Sequence, residues 1–218
     1  MKKYKNLIKY SKTYFEIYAK KTLEYCYDER WINKFESKRE KPDLQSEELD
    51  IGIEVTRTLQ TREGKMNHIF NEFINKRKEY NIMKYEIESL GGEISKIGNS
   101  TVMSPTKGLC DFKNNIDDLV DSIKVKTIEK LPNYKKFSKN MLYIFTHTAP
   151  FTKSDIVETF NILNQELPKD NPKFDLYFIN CIDEMFVVDV NGNILNEITI
   201  SGDYLERIKK EALDESKE

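Results

Sequence analysis

Two acidic residues, Asp43 and Glu54, are the part of the sequence whose type and spacing best suit chemistry. Asp43 follows Pro42, and ten residues separate it from Glu54, which lies in the run IGIEVT at positions 51–56. If Asp43 ends one strand and Glu54 lies on an antiparallel neighbour, the residues between them form the turn and the return, and both carboxylates reach one face. Such a pair provides hard oxygen ligands for Mg²⁺ or Mn²⁺. A metal held there would make hydroxide from water and stabilise charge on a scissile phosphate.

The run at positions 51–56 is the clearest strand pattern in the chain. Its apolar residues alternate with Gly52, Glu54 and Thr56, so the pattern predicts one face toward the core and a second face that carries Glu54. The apolar face consists of Ile51, Ile53 and Val55. Gly52 lies two residues before Glu54 on the second face, where the missing side chain would leave room for a substrate backbone or a bulky ligand.

The remaining elements that must position these acids follow from hydrophobic periodicity. In chain order the pattern predicts a helix over about the first thirty residues, a helix at 65–85, a hairpin or loop at 91–105, a helix at 117–131, a strand at 141–146, a helix at 155–167, and strands at 174–181, 185–190 and 194–200. This order predicts an α/β fold with a mixed sheet. We assign residues 1–202 to a single domain and residues 203–218 to a charged C-terminal helix or tail that frays at its end.

Composition limits the classes of function. The chain has 218 residues, 39% of them hydrophobic, which suffices for a packed core and argues against a disordered chain. Its 35 Lys and Arg against 37 Asp and Glu exclude the strongly basic character of many nucleic-acid binders, although charges can still separate onto different faces. No run approaches the ~18 apolar residues of a membrane span, so we expect no membrane partner. Three scattered cysteines indicate a reduced, cytoplasmic protein without a disulfide framework.

With these acids in this order of elements, the sequence resembles the PD-(D/E)xK nuclease superfamily, whose restriction-endonuclease-like fold is a mixed sheet flanked by helices. The resemblance rests on Pro42-Asp43 and on positions 51–56, with one helix before them and another after. It implies that Asp43 and Glu54 bind Mg²⁺ or Mn²⁺ and that the main-chain carbonyl of Val55 is a third ligand. The implied activity is hydrolysis of nucleic acid, with DNA favoured over RNA.

The family also implies further residues at the site. A glutamate on the first helix often joins the metal ligands, and the candidates here are Glu16 and Glu24. Thr56 departs from the family pattern, because a lysine normally stands there to orient the attacking water and to neutralise charge on the phosphate. In some relatives a neighbouring helix supplies that lysine. Lys126 and Lys130 share a face of the predicted helix, and we expect Lys126 to take the role.

The replaced lysine leaves two functions open. The first is a metal-dependent DNA nuclease, with defence or mobile-element biology as its setting; the second is a nuclease-like module that has lost cleavage and binds nucleic acid or protein. A homodimer is allowed by analogy, since many relatives cut two strands as dimers. A third possibility is a small-molecule hydrolase that uses His147. Lysine-rich segments with interleaved aromatics, such as 134–139, suit contact with phosphates and bases, and equally suit aromatics that face the core.

Overall fold

The computed structural model describes residues 12–37, 41–58, 61–89, 92–97, 100–104, 112–146, 151–168 and 170–217. The strands in this part of the chain are β1 (Glu36–Ser37), β2 (Leu44–Ser46), β3 (Ile51–Thr58), β4 (Glu93–Ile97), β5 (Ser100–Ser104), β6 (Lys139–Thr146), β7 (Leu176–Asn180), β8 (Glu184–Asp189) and β9 (Ile194–Thr199). The helices are α1 (Lys12–Thr22), α2 (Thr61–Ile74), α3 (Tyr80–Ser89), α4 (Phe112–Val125), α5 (Lys153–Glu166) and α6 (Gly202–Glu215).

Seven strands form one mixed sheet in the order β1-β2-β3-β6-β7-β8-β9. The central strands β3, β6 and β7 are parallel, while β1 and β2 on one side and β8 and β9 on the other are antiparallel. The centre of β6 is buried on both faces, which explains its nearly continuous apolar run. The predicted α/β fold, a mixed sheet flanked by helices, is therefore confirmed.

The two faces of the sheet carry separate cores. Helices α1 and α6 pack on the face that includes Ile51, Ile53 and Val55, as the alternation predicts. Helices α4 and α5 pack on the opposite face, against Leu142 and Ile144 of β6. The predicted C-terminal helix is α6, and its Ile208 and Ala212 are fully buried in the first core.

Two predicted elements differ from the structure. The helix predicted over the first thirty residues ends in its α-helical form at Thr22, and a π-helical turn (Leu23–Tyr27) follows; positions 1–11 lie outside the described residues. The helix predicted at 65–85 is two helices, α2 and α3, because Lys76 has a φ of 56°, in the left-handed region that ends helices. At 91–105, where the sequence left a hairpin or a loop open, β4 and β5 pair antiparallel and form a hairpin.

Helices α2 and α3 and the β4–β5 hairpin form an insertion between β3 and α4. The insertion has a small core of its own, in which Met66, Met83 and Ile87 are fully buried. No helix in the described part of the chain is both long enough and apolar enough to cross a membrane.

Candidate functional site

The pairing of β2 with β3 brings Asp43 and Glu54 together. Leu44 is opposite Ile53 in the antiparallel ladder, so Asp43, one residue earlier, lies beside Glu54, one residue later. The Asp43 carboxylate accepts a hydrogen bond from the Val55 N–H at 3.0 Å and thereby continues the ladder beyond the end of β2. The short β2 strand and its turn therefore position both acids at one edge of the parallel part of the sheet.

Both acids are buried, with exposed fractions of 1% for Asp43 and 0% for Glu54. Buried charges require partners, and lysines supply them here. The Nζ atom of Lys41 lies 2.5 Å from Asp43 Oδ1 and 3.1 Å and 3.3 Å from the two Glu54 oxygens. The Nζ atom of Lys126 lies 2.6 Å from Glu54 Oε1. The two carboxylates thus share one ammonium group, and a second ammonium group contacts Glu54.

Helix α4 explains why Lys126 reaches Glu54. Its buried stripe continues along the face that packs on the sheet, ending with Ile123 and then the fully buried Thr127. Lys126 lies between the positions of that stripe, three residues after Ile123, so its side chain starts beside the sheet. The chain there forms a π-helical turn, Lys126–Lys130, a feature that is frequent at functional sites. At the end of this turn, the half-exposed Lys130 places its Nζ 3.9 Å from Glu129 Oε2.

Of the two glutamates on the first predicted helix, the structure places Glu16 at the site. Lys12 joins it to the acid pair, because its Nζ lies 3.0 Å from Glu16 Oε1 and 2.9 Å from Asp43 Oδ1. Ser37 also donates to Glu16, at 3.0 Å. Glu24 lies about two turns farther along and accepts from the backbone N–H of Asn33 at 2.9 Å, in a different part of the molecule.

Thr56 and Arg57 lie on opposite faces of β3. Thr56 is partly buried on the face of Glu54, two residues farther along the strand. The Arg57 guanidinium instead lies 4.3 Å from the centre of the Phe15 ring on the α1 side, as strand alternation predicts. The ammonium groups that contact Glu54 come instead from Lys126 and Lys41.

The space above Gly52 is already filled. A Cβ atom at this position would lie 2.6 Å from both Phe137 Cδ2 and Pro42 Cγ, so the glycine is required by close packing of the protein itself. The expectation that Gly52 leaves room for a substrate backbone is therefore wrong. Phe137 and Tyr134 of segment 134–139 are both buried, so these two aromatic side chains pack within the protein.

The hydroxyl of Tyr134 lies near the acid pair. Burial, followed by the negative charges of Glu54 and Asp43, raises the pKa of Tyr134 above its usual value, so the hydroxyl keeps its proton. Among the described residues this hydroxyl makes no hydrogen bond of normal geometry, although it is shielded from solvent. The protonated hydroxyl is therefore a neutral donor beside Glu54, and its interaction with that carboxylate contributes to the raised pKa.

The charge state of Asp43 follows from its contacts. Burial alone would raise the pKa of Asp43, but hydrogen bonds from Lys41, Lys12 and the Val55 N–H outweigh burial and hold the pKa below its usual value. The corresponding bonds to Asp43 and Glu16 raise the pKa of Lys12 despite its partial burial. Asp43 is therefore an ionised carboxylate at neutral pH, the form that binds a metal ion.

The donor set suits a small hard cation. The ammonium group of Lys41 already sits between Asp43 and Glu54, so these oxygens accommodate a cation between them. The N–H and C=O of one strand residue point to the same side, so the Val55 carbonyl faces the Asp43 side, as its N–H does. Within the described residues, no group of three or more His, Cys, Asp or Glu side chains is close enough to hold a metal ion. A metal would therefore be held by two carboxylates and a main-chain oxygen.

Reasoning from the sequence missed Lys41 and Lys12. Lys12 leaves a signal in the spacing, because it lies one helical turn before Glu16, whereas Lys41 lies in the bend before β2 and leaves none. His147 and Cys110 lie outside the described residues.

Comparison with known proteins does not assign a function to this site. Comparison of the chain with protein-family models, with curated proteins and with solved structures finds no match. A function for this chain therefore has to be inferred from Asp43, Glu54 and their lysine partners.

Proposed function

We propose that this chain is a metal-dependent nuclease of the PD-(D/E)xK type that hydrolyses DNA phosphodiester bonds at Asp43 and Glu54. The observation that carries the proposal is the 2.6 Å contact between Lys126 Nζ and Glu54 Oε1. The superfamily has a lysine at the position of Thr56, and this contact supports the proposal that Lys126 supplies that function from a helix. The order of the elements adds support, since α1 precedes the antiparallel β2–β3 pair and α4 leads into the parallel strand β6.

The side chains at the site take distinct roles in this proposal. Asp43, Glu54 and the Val55 carbonyl would hold Mg²⁺ or Mn²⁺, which supplies an activated water and stabilises charge on the phosphate when it is bound. Lys126 would donate hydrogen bonds to the attacking water or to the phosphate oxygens. Lys12, held by Glu16, would fix the orientation of the Asp43 carboxylate. A homodimer that cuts both strands, and a setting in defence or mobile-element biology, belong to the same proposal by analogy with the superfamily.

A second function is favoured by a different observation. The carboxylates of Glu16, Asp43 and Glu54 already contact the ammonium groups of Lys12, Lys41 and Lys126, so their charges are balanced without a metal ion. Such a site is stable without a cofactor. It fits a nuclease-like module that has lost cleavage and that binds nucleic acid or another protein.

Cleavage assays separate the two functions. The full chain is incubated with single-stranded and double-stranded DNA and RNA in Mg²⁺, Mn²⁺ or EDTA, beside Glu54→Gln and Lys126→Met. The matched control is Lys124→Met, because Lys124 lies on the same helix but pairs with Glu166 at the surface, 2.7 Å away.

An active nuclease cuts DNA in the presence of metal and loses activity in Glu54→Gln. Lys126→Met should reduce the rate by about 10²-fold or more, the usual effect of removing one donor that stabilises the transition state. Lys124→Met should cut like the wild type. A Lys126→Met protein of full activity would exclude the role given to this lysine. A wild type that cuts no substrate and gains no thermal stability from Mn²⁺ would exclude the nuclease and favour the binding module.

A further inference from the structure

We propose that Lys41 is a resident cation of the site: it holds Asp43 and Glu54 together when no metal is bound and leaves when a divalent metal binds. This inference rests on the proposed function, because it requires that the two acids bind a metal. It assigns to Lys41 a role that neither the spacing of the sequence nor the family resemblance provides.

The position of the Lys41 ammonium group carries the inference. Among the described residues, Lys12 contacts Asp43 and Lys126 contacts Glu54, whereas Lys41 contacts both members of the pair. Its Nζ lies between 2.5 Å and 3.3 Å from one oxygen of Asp43 and both oxygens of Glu54. A Mg²⁺ ion bound to the same oxygens would lie about 2.0–2.1 Å from them. The ion and the ammonium group therefore compete for one place.

The difference in burial between the carboxylates and Lys41 indicates that the lysine side chain moves when a metal binds. The two carboxylates are almost completely buried and are fixed by β3 and by the Val55 N–H, so they cannot turn to solvent. The Lys41 side chain is 37% exposed and has four flexible methylene groups, so it can swing out to water. The backbone of Lys41 remains anchored during this movement, because its carbonyl accepts a hydrogen bond from the Lys135 N–H at 3.2 Å.

The exchange should weaken metal binding in the wild type. A metal that binds must first break the charge-assisted hydrogen bonds of Lys41 to Asp43 and Glu54. Removing the ammonium group removes this competitor and leaves both carboxylates without their shared cation. We therefore expect Lys41→Met to bind Mn²⁺ at least about tenfold more tightly than the wild type, given the usual strength of hydrogen bonds to charged groups.

Titration calorimetry of the full chain with MnCl₂ tests this expectation, with Lys124→Met as the control for loss of a lysine. Tighter binding by Lys41→Met, with the control equal to the wild type, supports the resident cation. Equal or weaker binding by Lys41→Met overturns it while leaving the metal site in place. If neither the wild type nor Lys41→Met binds Mn²⁺, the metal site itself is wrong and the inference falls with it.

A second measurement uses the wild type and so does not depend on the folding of a variant. The rate at which a lysine acylating reagent modifies Lys41 is followed by mass spectrometry with and without Mn²⁺. Release of Lys41 from the acid pair should increase its modification several-fold, while Lys124 in the same sample keeps its rate. If Mn²⁺ binds but the reactivity of Lys41 is unchanged or falls, the ammonium group does not leave, and the proposal is refuted.

Discussion

Replacement of Asp43 by asparagine tests whether the acid pair holds this edge of the sheet together. The Asp43 carboxylate accepts three hydrogen bonds, from Lys12, from Lys41 and from the Val55 N–H. Asparagine has almost the same shape but carries no charge, and one of its two terminal groups is a donor. That NH₂ group must face either the lysines or the Val55 N–H, and both of these are donors as well.

The size of the effect follows from the contacts. A buried donor without a partner costs about 1–3 kcal/mol. The lost ion pair with Lys12 adds little, about 0–1 kcal/mol, because the Lys12 side chain is 68% exposed. Lys41 keeps Glu54 as a partner, so its loss is partial. We therefore expect Asp43→Asn to lower the free energy of unfolding by about 1–4 kcal/mol at pH 7.

The effect should also depend on pH in a defined direction. The pKa of Asp43 in the folded protein lies below its usual value of about 3.9, which applies to the unfolded chain. A carboxylate whose pKa is lowered by folding stabilises the folded state fully above the unfolded pKa, and this stabilisation is lost as the pH falls through the folded pKa. Asparagine is neutral at every pH. The difference between the wild type and Asp43→Asn should therefore be largest near neutral pH and shrink below about pH 4.

Urea denaturation monitored by tryptophan fluorescence measures both quantities. Trp31 is the single tryptophan of the sequence and is 6% exposed, so its emission reports unfolding of the core. Asp214→Asn is the matched control, because Asp214 forms an exposed pair with Lys217 at 3.5 Å, and it should change stability by less than about 1 kcal/mol. A loss below about 1 kcal/mol in Asp43→Asn, or a loss that stays constant on acidification, would refute the reasoning.

Three further substitutions test the packing that supports the site. Gly52→Ala should destabilise the protein by about 1–3 kcal/mol in urea denaturation, because its methyl group would overlap the Phe137 ring; an unchanged midpoint would mean that the ring moves freely. Thr152→Ala should cost about 1 kcal/mol by the same measurement, since Thr152 caps α5 in a capping box. Ile208→Ala should cost about 2–5 kcal/mol, because α6 belongs to the core; a cost near zero in thermal or urea unfolding would show that α6 is dispensable.

The fold was predictable where periodicity was strong. The alternation in β3 and the apolar run of β6 identify the centre of the sheet, and their parallel pairing follows from the helices between them. Periodicity failed where it continued through a break, as between α2 and α3, because a lysine at positive φ carries no compositional signal. The strand β1 has two residues, which is too short for any periodic pattern to detect.

The site was predictable only in part, for a related reason. Asp43 and Glu54 stand out because an acid within an apolar strand is unusual, and the spacing allows a hairpin-like return. Lysines give no such signal, since most of them lie on solvated surfaces. Lys41 is distinguished by its contacts with Asp43 and Glu54, which are visible only in the folded structure. The choice between Glu16 and Glu24 depended on knowing where α1 ends. Beyond that end, Glu24 accepts a hydrogen bond from the backbone of Asn33.

The charge of the site links metal exchange to phosphate binding. With Lys41 in place, three carboxylates face three ammonium groups, so the site is close to neutral and attracts a phosphodiester weakly. If a divalent ion replaces the Lys41 ammonium group, the same site gains one net positive charge, which matches the single negative charge of a phosphodiester. The displaced ammonium group stays tethered beside the site and adds to the attraction. Binding of metal and of DNA should therefore be cooperative. Lys41→Met should retain this cooperativity, because its site changes from one net negative charge without the metal to one net positive charge with it.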